Sequence, residues 1–178
     1  MSAPPLPMML VDACNVIGRW HELYNISTKY GLASARDELI ERMVNYTAVE
    51  ALATILVFDA YRQPHHKSVC TVVSPYLTVH FTEQGQTADD YIERQCAELR
   101  HQRRLIVVTS DRIEGWTVKG YGAELRSAEA LVRDIKLRME ALRQQQQKPT
   151  PRRVSLEQRS KIKPSDRAKL EKMRFGLS

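Results

Sequence analysis

Five aspartates stand where an α/β chain can do chemistry. Three follow short apolar runs. Met8-Met9-Leu10-Val11 leads into Asp12, Thr54-Ile55-Leu56-Val57-Phe58 into Asp59, and Leu105-Ile106-Val107-Val108 through Thr109-Ser110 into Asp111. The other two, Asp89 and Asp90, follow Thr87-Ala88 at the start of a helical pattern. In an open parallel sheet the carboxyl ends of the strands line the ligand crevice, so acids at those ends are placed for chemistry rather than packing. Carboxylates without His or Cys among them are hard oxygen donors that suit Mg2+ or Mn2+. Grouped carboxylates repel one another, and a divalent cation relieves that repulsion. Such a cation suits phosphodiester hydrolysis, where it orients the substrate, activates water and offsets charge on the phosphate oxygens. Asn15 and Ser110 add neutral polar groups beside the acids. Each aspartate also has a structural use as a cap or turn former, and acids in a first helical turn suit the helix dipole. A single strand-end Asp therefore says little; three of them and a helix-start pair say more.

The elements that must position these acids follow from the pattern. Strands are predicted at 8–12, 54–58, 77–81 and 105–108, with a short edge segment at 69–73 broken by Ser74-Pro75. Leu39, Ile40, Met43, Val44 and Ala48 recur at helical spacing and predict a helix over 34–49 with Ser34 as its N-cap. Residues 18–32 read as a loop whose Trp20, Tyr24 and Tyr30 either cover a crevice wall or pack on the next helix. Thr87 caps a helix running to about His101. Residues 111–115 read as a turn, Trp116-Thr117-Val118 as a fifth extended piece, and 123–147 as a long helix. Lys148-Pro149-Thr150-Pro151 ends that helix; 152–163 read as flexible and basic, and Pro164 starts a short terminal helix to about Arg174. Strands alternating with helices predict an α/β fold with a mostly parallel sheet covered on both faces.

At 178 residues the chain suits one domain with an appendage. No apolar run reaches the roughly 18–20 residues that span a membrane, and Met1 to Pro7 has no secretory-signal pattern. Cys14, Cys70 and Cys96 lack CxxC spacing and are expected to be buried, reduced thiols, which favours a cytoplasmic compartment. His65-His66 reads as solvated loop. Charge is uneven: residues 1–132 hold 13 Lys+Arg against 16 Asp+Glu, and residues 133–178 hold 14 against 5. A body of net −3 therefore carries a segment of net +9, which points to a polyanionic partner, nucleic acid before an anionic membrane surface. Neither GxGxxG nor GxxxxGK[ST] occurs, so nucleotide-cofactor chemistry lacks its usual support.

Leu10-Val11-Asp12-Ala13-Cys14-Asn15-Val16-Ile17-Gly18 resembles the LVDGYNVIG opening of the YacP-like group of NYN-domain proteins, a branch of the PIN-like nucleases. Val57-Phe58-Asp59-Ala60, Phe81-Thr82, Thr87-Ala88-Asp89-Asp90-Tyr91-Ile92-Glu93, Thr109-Ser110-Asp111 and Gly120-Tyr121-Gly122-Ala123 match in order, over about residues 8–143. The resemblance implies a PIN-like three-layer α/β/α fold over 6–147, followed by a basic, partly flexible helical tail over 148–178. It also implies a metal-dependent endoribonuclease acting on messenger RNA with the translating ribosome. Asp12 and Asp89 match the family's key catalytic acids, and Asp59, Asp90 and Asp111 match supporting acidic positions around the metal. Asn15 matches the motif's Asn, whereas Ala13-Cys14 replace the usual Gly-Tyr, which alters substrate contact beside the site.

The expected enzyme holds Mg2+ or Mn2+ on these acids and binds RNA phosphates through Arg112, Arg152, Arg153, Lys161 and Lys163. A non-catalytic RNA- or ribosome-binding module of the same fold is the alternative. A small-molecule phosphohydrolase of the haloacid-dehalogenase type fits less well, because Cys14 stands where that pattern wants a second Asp.

Overall fold

The computed structural model describes residues 5–59 and 68–147. Six strands form one sheet in the order β3-β4-β2-β1-β5-β6. They are β1 (Met8–Asp12), β2 (Ala53–Phe58), β3 (Val69–Ser74), β4 (Leu77–Phe81), β5 (Leu105–Val108) and β6 (Glu124–Arg126). Every pairing is parallel except that of β3 with β4, which is antiparallel and carries an irregularity between Val72 and Ser74. The helices are α1 (Ala13–Arg19), α2 (His21–Tyr30), α3 (Leu32–Glu50), α4 (Ala88–Leu99), α5 (Arg112–Gly120) and α6 (Ala128–Gln147).

The central strands are apolar throughout because both faces are covered. On β1, Met9 and Val11 point into one core with Trp20, Leu39, Met43, Leu131 and Ile135. Leu10 points into the other, with Val57, Ile92, Val107 and Val118. Alternation along the strand thus serves two helical layers, α1, α2, α3 and α6 on one side and α4 and α5 on the other. The result is the expected α/β/α sandwich.

From β1 the chain runs outward to β2 and β4, and then returns to place β5 on the other flank of β1. The order reverses between β1 and β5, which is where a crevice opens at the carboxyl ends of the strands.

Several local expectations are corrected. Residues 18–32 are not a loop: α1 and α2 occupy most of them. The helix α2 buries only Leu23, so it carries little periodic signal. Gly31, at φ +93° and ψ 161°, separates α2 from α3 in a conformation that side-chain-bearing residues avoid. Ser34 is therefore inside α3 rather than its cap, and its hydroxyl donates to the Tyr30 carbonyl. Of the three aromatics, Trp20 is buried under the cations of Arg42 and Lys136, while Tyr24 and Tyr30 are exposed. Residues 112–120 form α5, not a turn and a strand, and the sixth strand lies at 124–126, where a helix start was expected. The edge strand β3 is present as expected. The thiols differ in burial: Cys96 is buried, Cys14 half-buried and Cys70 exposed on that edge, and none is in a disulfide.

The chain divides after Leu142, and the last residues of α6 are all of the second unit that falls among the described residues. The expected terminal helix, His65-His66 and the tail lie outside them. No described helix is long and apolar enough to cross a membrane.

Candidate metal centre

Asp12 ends β1 and begins α1. Its carboxylate accepts the Asn15 backbone N–H at 3.0 Å and so caps the helix that the chain turns into. On the other flank of the reversal, β5 delivers Thr109, Ser110 and Asp111. The side-chain oxygen of Asn15 accepts the Ser110 N–H at 3.1 Å and fastens the two strand ends together.

Asp89 arrives on the first turn of α4, whose start is held twice. Thr87 and Asp90 form a reciprocal capping box, each side chain accepting the other's backbone N–H. Asp59, at the end of β2, accepts the backbone N–H of Ala88. The strand-end carboxylate of β2 thereby positions the helix that carries Asp89.

Sequence patterning passed over the third member. Asp111 caps α5, accepting from the N–H groups of Ile113 and Glu114, and the turn that follows sends Glu114 inward. Glu114 is only 6% exposed. Neither of its carboxylate oxygens has a hydrogen-bond partner; the Thr109 hydroxyl stands near enough to ease the carboxyl's ionisation without satisfying it. One carboxylate oxygen from each of Asp12, Asp89 and Glu114 lies within 4.8 Å of the others. The signal for Glu114 was the Asp111-x-x-Glu114 spacing of a helix start, masked by the reading of 111–115 as a turn.

The electrostatics follow from this crowding. Burial, with the nearby charges of Asp89 and Asp59, pushes Asp12 up to about 6 against the pull of the Asn15 N–H. Burial, then the charges of Asp89, Asp12 and Asp111, pushes Glu114 up to about 8. Asp89 is raised by burial and by Asp111, Asp59 and Asp90, against the pull of the adjoining Glu114 carboxyl. Asp59 is raised by burial despite its bond from Ala88. Asp90 moves the other way, held down by the Thr87 N–H and hydroxyl. Raised to about 8, the Glu114 carboxyl keeps its proton at neutral pH unless a cation takes the place of the missing donors. Three oxygen ligands with no competing nitrogen or sulfur fit a hard divalent ion, and this acidic cluster could hold one.

The expected residues are therefore sorted by place. Asp12 and Asp89 come together. Asp59 and Asp90 secure the start of α4, and Asp111 secures α5; their charges reach the cluster. Ser110 serves as a joint: its hydroxyl donates to Glu129 and accepts from the Ala128 N–H. Arg112 is exposed on the first turn of α5. Arg152, Arg153, Lys161 and Lys163 lie outside the described residues.

Sequence and fold have counterparts. A family profile described as the YacP-like NYN domain matches residues 9–175. The YacP protein of Bacillus subtilis (strain 168) is 32% identical over 138 residues, covering 73% of this chain and 75% of that one. The crystal structure of Rae1 (YacP) from Bacillus subtilis is similar in fold, with a TM-score of 0.65, 30% identity and 95% of each chain covered. A mutant of the same protein gives 0.65 at 31% identity, covering 78% of this chain and 80% of that one.

Proposed function

This chain belongs to the YacP-like NYN domain family, and from that premise we propose that it is a metal-dependent endoribonuclease. Its fold is the PIN-like α/β/α fold, and the family is compatible with an RNase-type nuclease. The observation that carries the proposal is the meeting of Asp12, Asp89 and the unpartnered, buried Glu114 at the strand-order reversal.

Asp12, Asp89 and Glu114 would hold the ion, Mg2+ or Mn2+. When bound, it supplies positive charge against the phosphate oxygens and lowers the pKa of a water. Asp59 keeps α4, and with it Asp89, in place. Asp111 keeps α5 and Glu114 in place, and adds negative charge that strengthens cation binding. Arg112 takes a flanking phosphate. The segment of net charge +9 beyond residue 132 tracks the RNA backbone, so affinity falls steeply with salt. The substrate is messenger RNA engaged with the translating ribosome, in the cytoplasm. Residues 6–147 form the nuclease domain and 148–178 a basic tail that contributes Arg152, Arg153, Lys161 and Lys163 to RNA contact.

The test is cleavage of a long RNA by the full chain with Mg2+, Mn2+ or chelator, with and without translating ribosomes, beside Asp12→Asn and Asp89→Asn. Metal-dependent internal cuts by wild type alone are expected. Equal inertness of all three proteins, with RNA or ribosomes still bound, would leave a binding module and remove the enzyme.

A further inference from the structure

The helix α5 presents two different faces. Glu114, Gly115 and Val118 are buried. Gly115 lets the helix close on β6, since a methyl group there would press on Leu125. The outer face carries Ile113 and Trp116, 81% and 80% exposed, the two most exposed large apolar side chains among the described residues. An indole left that open on a soluble domain marks a contact surface.

Its neighbours identify the contact. Arg112, Trp116 and Lys119 follow at i, i+4 and i+7 and share one stripe of the helix. Neither Arg112 nor Lys119 has an ion-pair partner among the described residues. All three line an open cavity of about 470 Å³ with Asp111 and with Arg19 and its ion-pair partner Glu129. That cavity sits at the carboxyl end of β5, beside the loop that leads into α5. Protein interfaces accept Arg but deplete Lys around their apolar anchors, and Lys119 stands beside this one. Unneutralised cations on either side of an exposed aromatic are instead the arrangement that receives a base and its phosphates.

We infer that the Arg112–Trp116–Lys119 face is a nucleotide platform, on which an unpaired base of single-stranded RNA stacks on the Trp116 indole while Arg112 and Lys119 take the adjoining phosphates. The choice of RNA rests on the nuclease proposed above. Duplex RNA does not fit, because its bases are already stacked on one another and its major groove is too narrow to read. The same helix turns Glu114 inward to the acid cluster and Trp116 outward, so the platform is a site separate from the cluster.

The chain's two tryptophans make the test direct, because Trp20 is buried and Trp116 exposed. The full chain is titrated in chelator with a 12-nucleotide single-stranded RNA and with a duplex of equal length, reading intrinsic fluorescence and the anisotropy of labelled RNA. Single-stranded RNA is expected to quench the exposed tryptophan, and duplex RNA is not. Trp116→Ala is expected to abolish the quench and weaken binding about tenfold, with an unchanged melting temperature. Trp116→Phe should keep most of the affinity. Arg112→Gln and Lys119→Gln should each lower the salt dependence by about one ion. Wild-type affinity in Trp116→Ala, or no quench, overturns the platform. So does self-association of the wild type that Trp116→Ala abolishes while RNA binding persists, since the face would then be a protein contact. Quenching without cleavage would remove the enzyme and keep the platform; cleavage without quenching would do the reverse.

Discussion

The side-chain oxygen of Asn15 accepts the backbone N–H of Ser110 at 3.1 Å, across 95 positions of sequence. The same residue gives its own backbone N–H to Asp12. One residue, through its side chain and its backbone N–H, thus braces both flanks of the reversal between β1 and β5. Asn15→Ala leaves the half-buried Ser110 N–H without a partner, and a loss of about 1–3 kcal/mol in unfolding free energy is expected by denaturant titration. Cleavage should fall at least tenfold, because the loop that positions Asp111 and Glu114 is released. Asn15→Asp keeps an acceptor but adds charge beside Asp12, so it should recover stability better than activity and move the acid limb of the pH–rate profile upward.

Glu114 should make the metal-free protein less stable as pH rises. Its ordinary value is 4.5 and its folded value about 8. Between them the folded chain holds a proton that the unfolded chain has released, so stability falls across that window. Asp12, raised to about 6, acts in the same direction at lower pH. In chelator the melting temperature should decline from pH 5 to pH 8, and Mg2+ or Mn2+ should restore it most strongly at pH 8. Glu114→Gln should flatten the decline, abolish most of the metal-induced rise and reduce cleavage by about 100-fold or more. A Glu114→Gln protein that gains as much from metal as wild type would remove Glu114 from the ligand set.

Asp89 and Asp90 are neighbours with different work. Both are exposed, but Asp89 faces Asp12 and Glu114, whereas Asp90 closes the capping box with Thr87. Asp90→Ala should cost about 0.3–1.5 kcal/mol of stability and leave metal affinity within a few-fold of wild type. Asp89→Asn should do the opposite, keeping the fold and losing metal-dependent cleavage. Calorimetry with Mn2+ beside thermal melts separates the two.

Glu22 joins Arg42 and Lys136, the two cations over the buried ring of Trp20. Its hydrogen bonds from Lys136 and Arg42 hold it at about 2, below its ordinary 4.5. Whatever stability it supplies is therefore present above about pH 4.5 and lost as pH falls through 2. Its half-exposed side chain makes this contribution small and screened by salt. Glu22→Gln should lower the melting temperature slightly at pH 7 and low salt, not at all at pH 2, with RNA cleavage unaffected.

The central strands were legible because a parallel sheet covered on both faces needs continuous apolar runs, as at Leu10-Val11, Leu56-Val57 and Ile106-Val107. The start of α4 was legible because Thr87 and Asp90 satisfy its free N–H groups locally. By contrast, α5 contains Gly115, Thr117, Val118 and Gly120, which read as strand and turn. Its helix is set by the Asp111 cap and by Val118 packing under the sheet. The three residues of β6 became a strand only because β5 offers a free edge to pair with.

The amino-acid sequence by itself determined the layer architecture and marked Asp12 and Asp89, two members of the acidic cluster, because burial periodicity, helix caps and a strand-end Asp are local in the chain. Tertiary structure alone brought Glu114 beside Asp12 and Asp89, braced Asn15 against Ser110 and set Asp59 and Asp90 on the N–H groups at the start of α4. Those depend on which strands become neighbours and how deep a side chain is carried, and neither quantity exists until the sheet has closed around its core.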